Sequence, residues 1–549
     1  MINNNDYSMY EYMKMRSGND NRIALSYYGN HIGYDNMLLE IEKLSNCLNS
    51  IGVSDIDNVA ICLPNIPNAI ISFYAVNRLG ASVNLIHPLV PPMQLLDMIT
   101  KLNSKVLFLF DLFYEKHREV LKKSGVKVIL CSASDYMQGF KKPLYNLATY
   151  KKVKNIAYSK DILKYSNIIG KKYDNAKVVY RESCGDRIAC YIHSGGTTGE
   201  PKIAMISNRA VNECAYNVRT LIGDRVEKNQ SMLMVLPLFH IFGLGVCMHT
   251  TLTAGARCLL VPKFSSKYVA KLVRKERATY MAGVPTMYEK LLSEKAFNGE
   301  FLKDMKCCYS GGDKLAKELK EKFDNLMIKN GSFCRLCEGY GLTEAGICTV
   351  NITENSMEGA VGLPLGNTKI AIVDKDNRFL SNGELGEICI SGENVMSGYY
   401  GDSITTSEVL FLGQDNNTYV KTGDYGYISD SGHLFYVDRL KRMIKISGIN
   451  VFPAEIERLV TDNIDIVHKC CAIESICNEK SSIKLFVMLK NNNADKEKVE
   501  LDIRKLIKNN LMKYSMPKKI VFVDSLPMTE IGKVDYKKLT FEENLYDYK

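Results

Sequence analysis

From about residue 50 to residue 440 the chain alternates short apolar runs with amphipathic stretches, and this commits it to strands joined by crossover helices in parallel sheets. DNVAICLP, KVLFLF and VKVILC read as strands. NAIISFYAVNRLGA and MQLLDMITKLN, lying between them, carry apolar residues at helical spacing, and AKELKEKFDNLMIKNG is a helix closed by Gly331. The predicted fold class is α/β, with parallel and mixed sheets flanked by helices. Such sheets are covered on both faces and need a large apolar core. A chain of 549 residues, 46% hydrophobic and 24% charged, supplies one and excludes disorder, collagen-like repeats and coiled coil.

The pattern changes around GHLFYVDRLKRMIKISGIN. Residues 440–549 offer two or three strands and two helices, enough for a small α+β domain, so the expected boundary falls between Arg439 and Arg442. Residues 1–439 then form the large domain and 440–549 the small one. No internal repeat shows, and the Asn/Lys-rich stretch from Lys490 to Lys498 reads as a surface turn. No charged residue occurs between Ser231 and Ala256, a length that could span a bilayer, but Pro237, His240, Gly243, Gly245 and His249 interrupt it. MLMVLPLF is read instead as a buried strand, followed by a loop and a glycine-rich helix inside the core.

Lys and Arg number 71 against 61 Asp and Glu, a mild basic excess that suits phosphate-bearing ligands without demanding nucleic acid. Seventeen Cys at irregular spacing, behind an N-terminus without the basic and apolar blocks of a secretory signal, point to a reducing cytoplasm. Cys334 and Cys337 have metal-ligand spacing, yet no second pair follows, and their apolar flanks mark them as structural thiols neighbouring on a strand. The eight His include no pair at helical metal spacing, so no transition-metal site is assigned.

The segment DRIACYIHSGGTTGEPKIAMISNR is an apolar strand, a burst of Gly, Ser and Thr ending in Lys, and a second apolar run. Glycines let backbone N–H groups turn inward on an anion, Thr197 and Thr198 add hydroxyls, and Lys202 adds charge. Glu200 and Pro201 separate the last glycine from the lysine, so this is not a Walker A loop. By composition alone it either cradles phosphate or merely connects two strands.

With the blocks that follow it in order, LPLFHIFGLG, SGGDKL, EGYGLTEAG, KTGDYGYI, VDRLKRMIKISGINVFPAEIE and PMTEIGKVDYKKL, SGGTTGEPK resembles the adenylate-forming enzymes. That family includes acyl-CoA synthetases, aryl-CoA ligases, luciferases of the firefly type and peptide-synthetase adenylation domains, and the likeness runs over nearly the whole chain. It implies that a carboxylate attacks the α-phosphate of ATP, giving an acyl-adenylate and pyrophosphate, and that a thiol then displaces AMP. The protein's part in such chemistry is positioning and charge stabilisation. The resemblance assigns Thr197, Thr198 and Lys202 to the β- and γ-phosphates, with Ser194, Gly195, Gly196 and Gly199 of the same loop among the nucleotide-binding residues, Thr343 to the α-phosphate and Glu344 to Mg²⁺. Tyr340, between Gly339 and Gly341, would stack on adenine, with Gly311, Gly312 and Asp313 on the other side. Asp424 would accept from the ribose hydroxyls, with Arg439 beside it. His240 would gate the acyl pocket and thiol channel. Lys533 would bridge carboxylate and phosphate oxygens during adenylation. The small, mobile domain would then turn about a hinge near Lys441 and bring the face from Lys445 to Asn450, with Gly448 allowing close approach, to the pantetheine of CoA.

Four positions depart from the family pattern: Ile203 and Asn208 stand where Gly and His are usual, Gly195 replaces a Ser, and Arg442 replaces an acid or small residue. The double glycine also occurs among fatty acyl-CoA synthetases and leans toward aliphatic acids. The acyl pocket is expected from residues 240–245, 282–285, 309–311 and 345–348, which are mostly small or apolar. An apolar tunnel suits a fatty or arylalkyl acid better than an amino acid, and no Asp occupies residues 235–245 to pair with an ammonium. The expected ligands are therefore a small-molecule carboxylic acid, ATP, Mg²⁺ and CoA. An acyl or peptidyl carrier protein is the alternative thiol acceptor, and an inactive nucleotide-binding regulator the reading from another class. No nucleic-acid partner or transmembrane segment is expected, and the oligomeric state stays open.

Overall fold

The computed structural model describes residues 6–17, 22–171, 184–194, 202–222, 230–446, 449–477, 480–491, 494–528, 534–536 and 538–540. Two large sheets carry the N-terminal part. The nine-stranded one runs, from edge to edge, through Leu363–Pro364, Gly346–Asn351, Leu336–Leu342, Cys307–Ser310, Tyr280–Gly283, Ser231–Met234, Arg257–Leu260, Ile23–Tyr27 and Asn30–Gly33. Its interior pairings are parallel and its edge pairings antiparallel. The eight-stranded sheet runs from Gly398–Tyr399 through Lys202–Ser207, Ile188–Ser194, Ser82–Leu85, Asn58–Cys62, Ser104–Phe110 and Lys127–Cys131 to Ile162–Lys164. A five-stranded antiparallel sheet spans Lys369–Val373 to Leu434–Arg439.

Local chemistry sets the helices between strands. Lys317–Lys329 buries Leu319, Phe323 and Met327, one residue per turn on one face. It ends where Gly331, at φ +70°, lets the Ser332 N–H reach back to the Met327 carbonyl at 2.9 Å. The uncharged stretch enters as the buried strand Ser231–Met234 and continues as a π-helix over Phe242–Thr250. No helix among the described residues is long and apolar enough to cross a membrane.

Beyond Arg439 the core is separate: Ile444, Val451, Ile456, Val460, Leu485, Val487, Ile503 and Ile507 pack together. This small C-terminal α+β unit holds the helices Pro453–Asn463 and Lys496–Asn510. Its described strands number five rather than two or three. Ile444–Ile446, Ile449–Val451 and Lys519–Phe522 are too short to show a period in sequence. The expected surface turn ends at Asp495, whose carboxylate caps the second helix by accepting the Lys498 N–H at 3.1 Å.

Candidate active site

The strands Ser231–Met234, Cys307–Ser310 and Leu336–Leu342 all lead at their C-terminal ends into one cavity, where ligands of open parallel sheets bind. Residues 240–242, 309–312, 339–342, 346 and 347 line it. The expected stretch 282–285 is absent from this lining. Tyr288 closes off that strand end, its buried hydroxyl donating to the Tyr309 carbonyl at 2.7 Å and its ring lying beside Gly283. Residues 243–245, 345 and 348 are likewise outside the lining. Gly243 and Gly245 serve packing instead, since a Cβ would meet the Pro237 carbonyl oxygen at 2.1 Å and the Cys214 sulfur at 2.9 Å.

His240 faces the cavity at the start of the π-helix. Its Nδ1 accepts the Phe242 N–H at 3.3 Å and its carbonyl accepts the Leu244 N–H at 2.9 Å. The imidazole thus helps to cap the helix, and its Nδ1 is an acceptor in this arrangement. Phe242 narrows the same wall, because a Cβ on Gly311 would lie 3.0 Å from its ring.

Thr343, Glu344 and Ala345 form the three-residue turn between Leu336–Leu342 and Gly346–Asn351, with Leu342 opposite Gly346. Gly346, at φ +62°, supplies the left-handed residue that such a hairpin requires. The turn is clamped from the segment 394–399: Asn394 Nδ2 donates to the Ala345 carbonyl at 2.7 Å, the Met396 N–H to the Glu344 carbonyl at 2.7 Å, and the Tyr399 hydroxyl to Glu344 Oε1 at 2.8 Å. Burial and the neighbouring carboxylate push the Tyr399 phenol up, so it stays a proton donor. Lys202 Nζ lies 4.8 Å from the centroid of the same ring. Tyr399 therefore stands between Lys202, expected at the phosphates, and the carboxylate expected to hold Mg²⁺.

Ser194 and Lys202 are paired across the mouth of the glycine-rich hairpin. Gly195, Gly196, Thr197, Thr198 and Gly199 lie outside the described residues, as do Gly448 and Lys533. Ile203 behaves as an ordinary strand residue, buried with Leu102 and Tyr191 while its carbonyl accepts the Tyr400 N–H. Asn208 ties together Met9, Asn77, Cys184 and Arg187 through its side-chain amide, a structural role.

Tyr340, Asp424 and Arg439 come together on the other side. The Tyr340 hydroxyl donates to Asp424 Oδ2 at 2.7 Å, and both residues are buried, 8% and 4% exposed. Asp424 and Arg439 are opposite each other on paired strands, with Arg439 Nε 3.3 Å from Asp424 Oδ1. That contact lacks hydrogen-bond geometry and leaves buried Oδ1 without a donor. Burial raises the Asp424 carboxyl, and Arg439 draws it back down. Gly341 cannot carry a side chain here, since a Cβ would lie 2.2 Å from the Gly346 carbonyl oxygen.

The loop of Gly311, Gly312 and Asp313 is fastened to the Tyr340 strand by a residue to which the sequence reading gave no role. Glu338 Oε1 accepts the Leu315 N–H at 3.1 Å, and burial pushes its carboxyl up to about 7. Tyr399 and Tyr436 were missed as well; Tyr436 packs its ring 6.2 Å from that of Tyr340. Only their position beside quoted motifs could have pointed to them. Lys441 and Lys445 are exposed, on the turn Leu440–Arg442 and the strand Ile444–Ile446, outside the cavity lining. Cys337 is on a strand as expected, whereas Cys334 precedes it, and both are buried.

The chain belongs to the AMP-binding enzyme family, whose model matches residues 16–400, while the model of the AMP-binding enzyme C-terminal domain matches residues 455–533. Among its relatives is a long-chain-fatty-acid–CoA ligase of Bacillus subtilis (strain 168), 30% identical over 95% of this chain and 92% of that one. A 4-coumarate–CoA ligase of Arabidopsis thaliana is 27% identical over 92% and 87%. These place it in the acyl-CoA synthetase branch. The ATP-bound MatB of Rhodopseudomonas palustris shares the fold at a TM-score of 0.83, with 22% identity over 97% of this chain and 98% of that one. A benzoate CoA ligase from Burkholderia xenovorans LB400 does so at 0.81, with 21% identity over 97% and 99%.

Proposed function

We propose that this protein is an AMP-forming acid–thiol ligase that activates a fatty or arylalkyl carboxylic acid as its acyl-adenylate and passes the acyl group to CoA. The observation that carries the reading is the pairing of a polar nucleotide corner with an apolar cavity. Asp424 Oδ1, buried and without a hydrogen-bond donor, suits a ribose hydroxyl beside the Tyr340 ring. Phe242, Ile241, Leu342 and Ile347 offer no buried cation or acid for a charged side chain of the substrate.

Glu344, a carboxylate on a partly exposed turn, is the kind of oxygen donor that Mg²⁺ takes, with waters and phosphates completing the shell. When bound there, the ion neutralises phosphate charge. Thr343 precedes that carboxylate in the same turn, and Lys202 supplies a cation over the Tyr399 ring. Ser194, Gly195, Gly196, Thr197, Thr198 and Gly199 complete the cradle. Lys533 stabilises the charge built up as carboxylate meets α-phosphate. The boundary near Lys441 then acts as the hinge that exchanges Lys533 for Lys445 and Gly448, and His240 gates the cavity for the thiol. A cytoplasmic location fits the sixteen described cysteines, all free thiols.

Incubation with ATP, Mg²⁺, CoA and pooled fatty, aryl and amino acids, followed by mass spectrometry of thioesters, tests this. Fatty or arylalkyl CoA thioesters are expected. Adenylates without thioester would transfer the acceptor role to a carrier protein, and aminoacyl products would overturn the substrate class.

A further inference from the structure

Of the sixteen cysteines whose surroundings are described, fifteen are buried and Cys307 is half-buried. Its Sγ lies 3.6 Å from that of Cys337, donating to it. The two belong to adjacent parallel strands, Cys307–Ser310 and Leu336–Leu342, in which Tyr309 is opposite Cys337. The alternation of a strand turns Cys308 to the opposite face, where it is fully buried beside buried Cys334. The four sulfurs are therefore divided between two faces, and no single metal ion can gather them.

The surroundings of the Cys307–Cys337 pair favour a shared negative charge. The Cys307 S–H bond pulls the Cys337 thiol down and burial opposes it; Lys320 and Thr353 add to the pull, and Asp324, the opposing acid, is itself paired with Lys320 at 2.6 Å. The remaining S–H donates to its partner sulfur, so the pair loses its first proton more readily than an isolated thiol and its second less readily. The two sulfurs thus stand 3.6 Å apart on diagonal neighbours of adjacent strands, Cys307 lying two positions before the Tyr309 that faces Cys337, so closing to a bond of about 2.05 Å takes side-chain rotation together with a local approach of the two strands.

We propose that Cys307 and Cys337 are an oxidisable dithiol site, converted by peroxide to an intramolecular disulfide. The shared proton passes to Cys337, the Cys307 thiolate attacks one oxygen of hydrogen peroxide and the O–O bond breaks, giving the sulfenic acid and a hydroxide that takes up a proton to leave as water. The Cys337 sulfur then attacks the sulfenic sulfur, the S–S bond forms, the S–OH bond breaks and a second water leaves. The two thiols lose two electrons and two protons in all, and the O–O bond of the peroxide takes them up. The site is independent of the substrate assignment.

Peptide mapping of the full chain after mild hydrogen peroxide treatment tests this. A Cys307–Cys337 cross-linked peptide is expected, lighter by two hydrogen masses, reversed by dithiothreitol, with both residues lost to iodoacetamide labelling of the denatured protein. C307S and C337A should each lose the cross-link. C307S is the safer variant for folding, its side chain being half-buried where that of Cys337 is buried, and circular dichroism checks both. Irreversible sulfinic acid at Cys307 with Cys337 still free, or a cross-link through Cys308 or Cys334 instead, would overturn the proposal.

Discussion

The Tyr399 hydroxyl donates to Glu344 Oε1 at 2.8 Å across a sequence separation of 55 residues. Tyr399→Phe keeps the ring against Lys202 and removes only this bond. Losing a hydrogen bond to a carboxylate costs about 1.5 kcal/mol, so pyrophosphate exchange should fall roughly tenfold, with more Mg²⁺ needed for half-maximal rate. Mn²⁺ titration by electron paramagnetic resonance with a non-hydrolysable ATP analogue should show weaker ion binding. An unchanged Mg²⁺ requirement would count against the role given to Glu344.

Asp424→Ala removes both the acceptor for the Tyr340 hydroxyl and the acceptor proposed for the ribose. The KM for ATP should rise by one to two orders of magnitude, about 1.5–3 kcal/mol, while KM for the acid stays within about twofold. Steady-state kinetics with each substrate varied in turn separates these outcomes.

Glu338 gives a pH signature. Its carboxyl is raised by burial from 4.5 to about 7, opposed by the Leu315 N–H and by Lys314 and Lys320. Because the folded value lies above the unfolded one, its contribution to stability is complete below about pH 4.5 and is lost as pH rises through about 7. Glu338→Gln keeps an oxygen for the Leu315 N–H and cannot ionise. The Tm of the wild type should therefore fall relative to that of the variant by a few °C between those limits; parallel Tm–pH curves would show that Glu338 does not titrate there.

Arg442 meets Glu457 Oε1 at 2.6 Å and Asp438 Oδ1 at 3.5 Å, with its guanidinium 3.9 Å from the centroid of the Tyr536 ring. Asp438 also accepts the Ala454 N–H at 2.8 Å, at the start of the helix Pro453–Asn463. Arg442→Ala strands two shielded acids and should destabilise the C-terminal unit by about 2–4 kcal/mol. Hydrogen exchange should quicken in that helix while the strand Ser231–Met234 keeps its protection.

Lys533 and Gly448 divide the reaction between them under the proposed hinge motion. Lys533→Ala should lose acid-dependent pyrophosphate exchange by at least about a hundredfold yet still thiolyse supplied acyl-adenylate, and Gly448→Trp should do the reverse. Equal loss of both steps in either variant would refute the division.

The helix Lys317–Lys329 was legible because one apolar face and a closing Gly331 are local signals, and the strands around Ile61, Phe108 and Ile129 because they are continuous apolar runs. Tyr340, Glu344 and Asp424 were legible through motifs that recur in a fixed order. Tyr399 was not, since its edge strand is two residues long and its partner lies on another sheet. Tyr288 was missed for a similar reason: helical spacing tells which face is apolar but not which cavity that face seals. Arg442 drew notice as a departure, and only the tertiary structure supplies Glu457 and Tyr536 as its partners.

The Glu344 turn closes a hairpin at one edge of the nine-stranded sheet, whereas Tyr399 sits on the outermost strand of the eight-stranded sheet. A nucleotide held by Lys202 and Glu344 would touch both sheets at once, so its binding energy is also cohesion between them. By mass action, ATP at a hundred times its dissociation constant adds about 2.7 kcal/mol to the folded state. That increment should fall on the seam between the sheets, making the cell's nucleotide supply a determinant of how long the protein survives as well as of how fast it works.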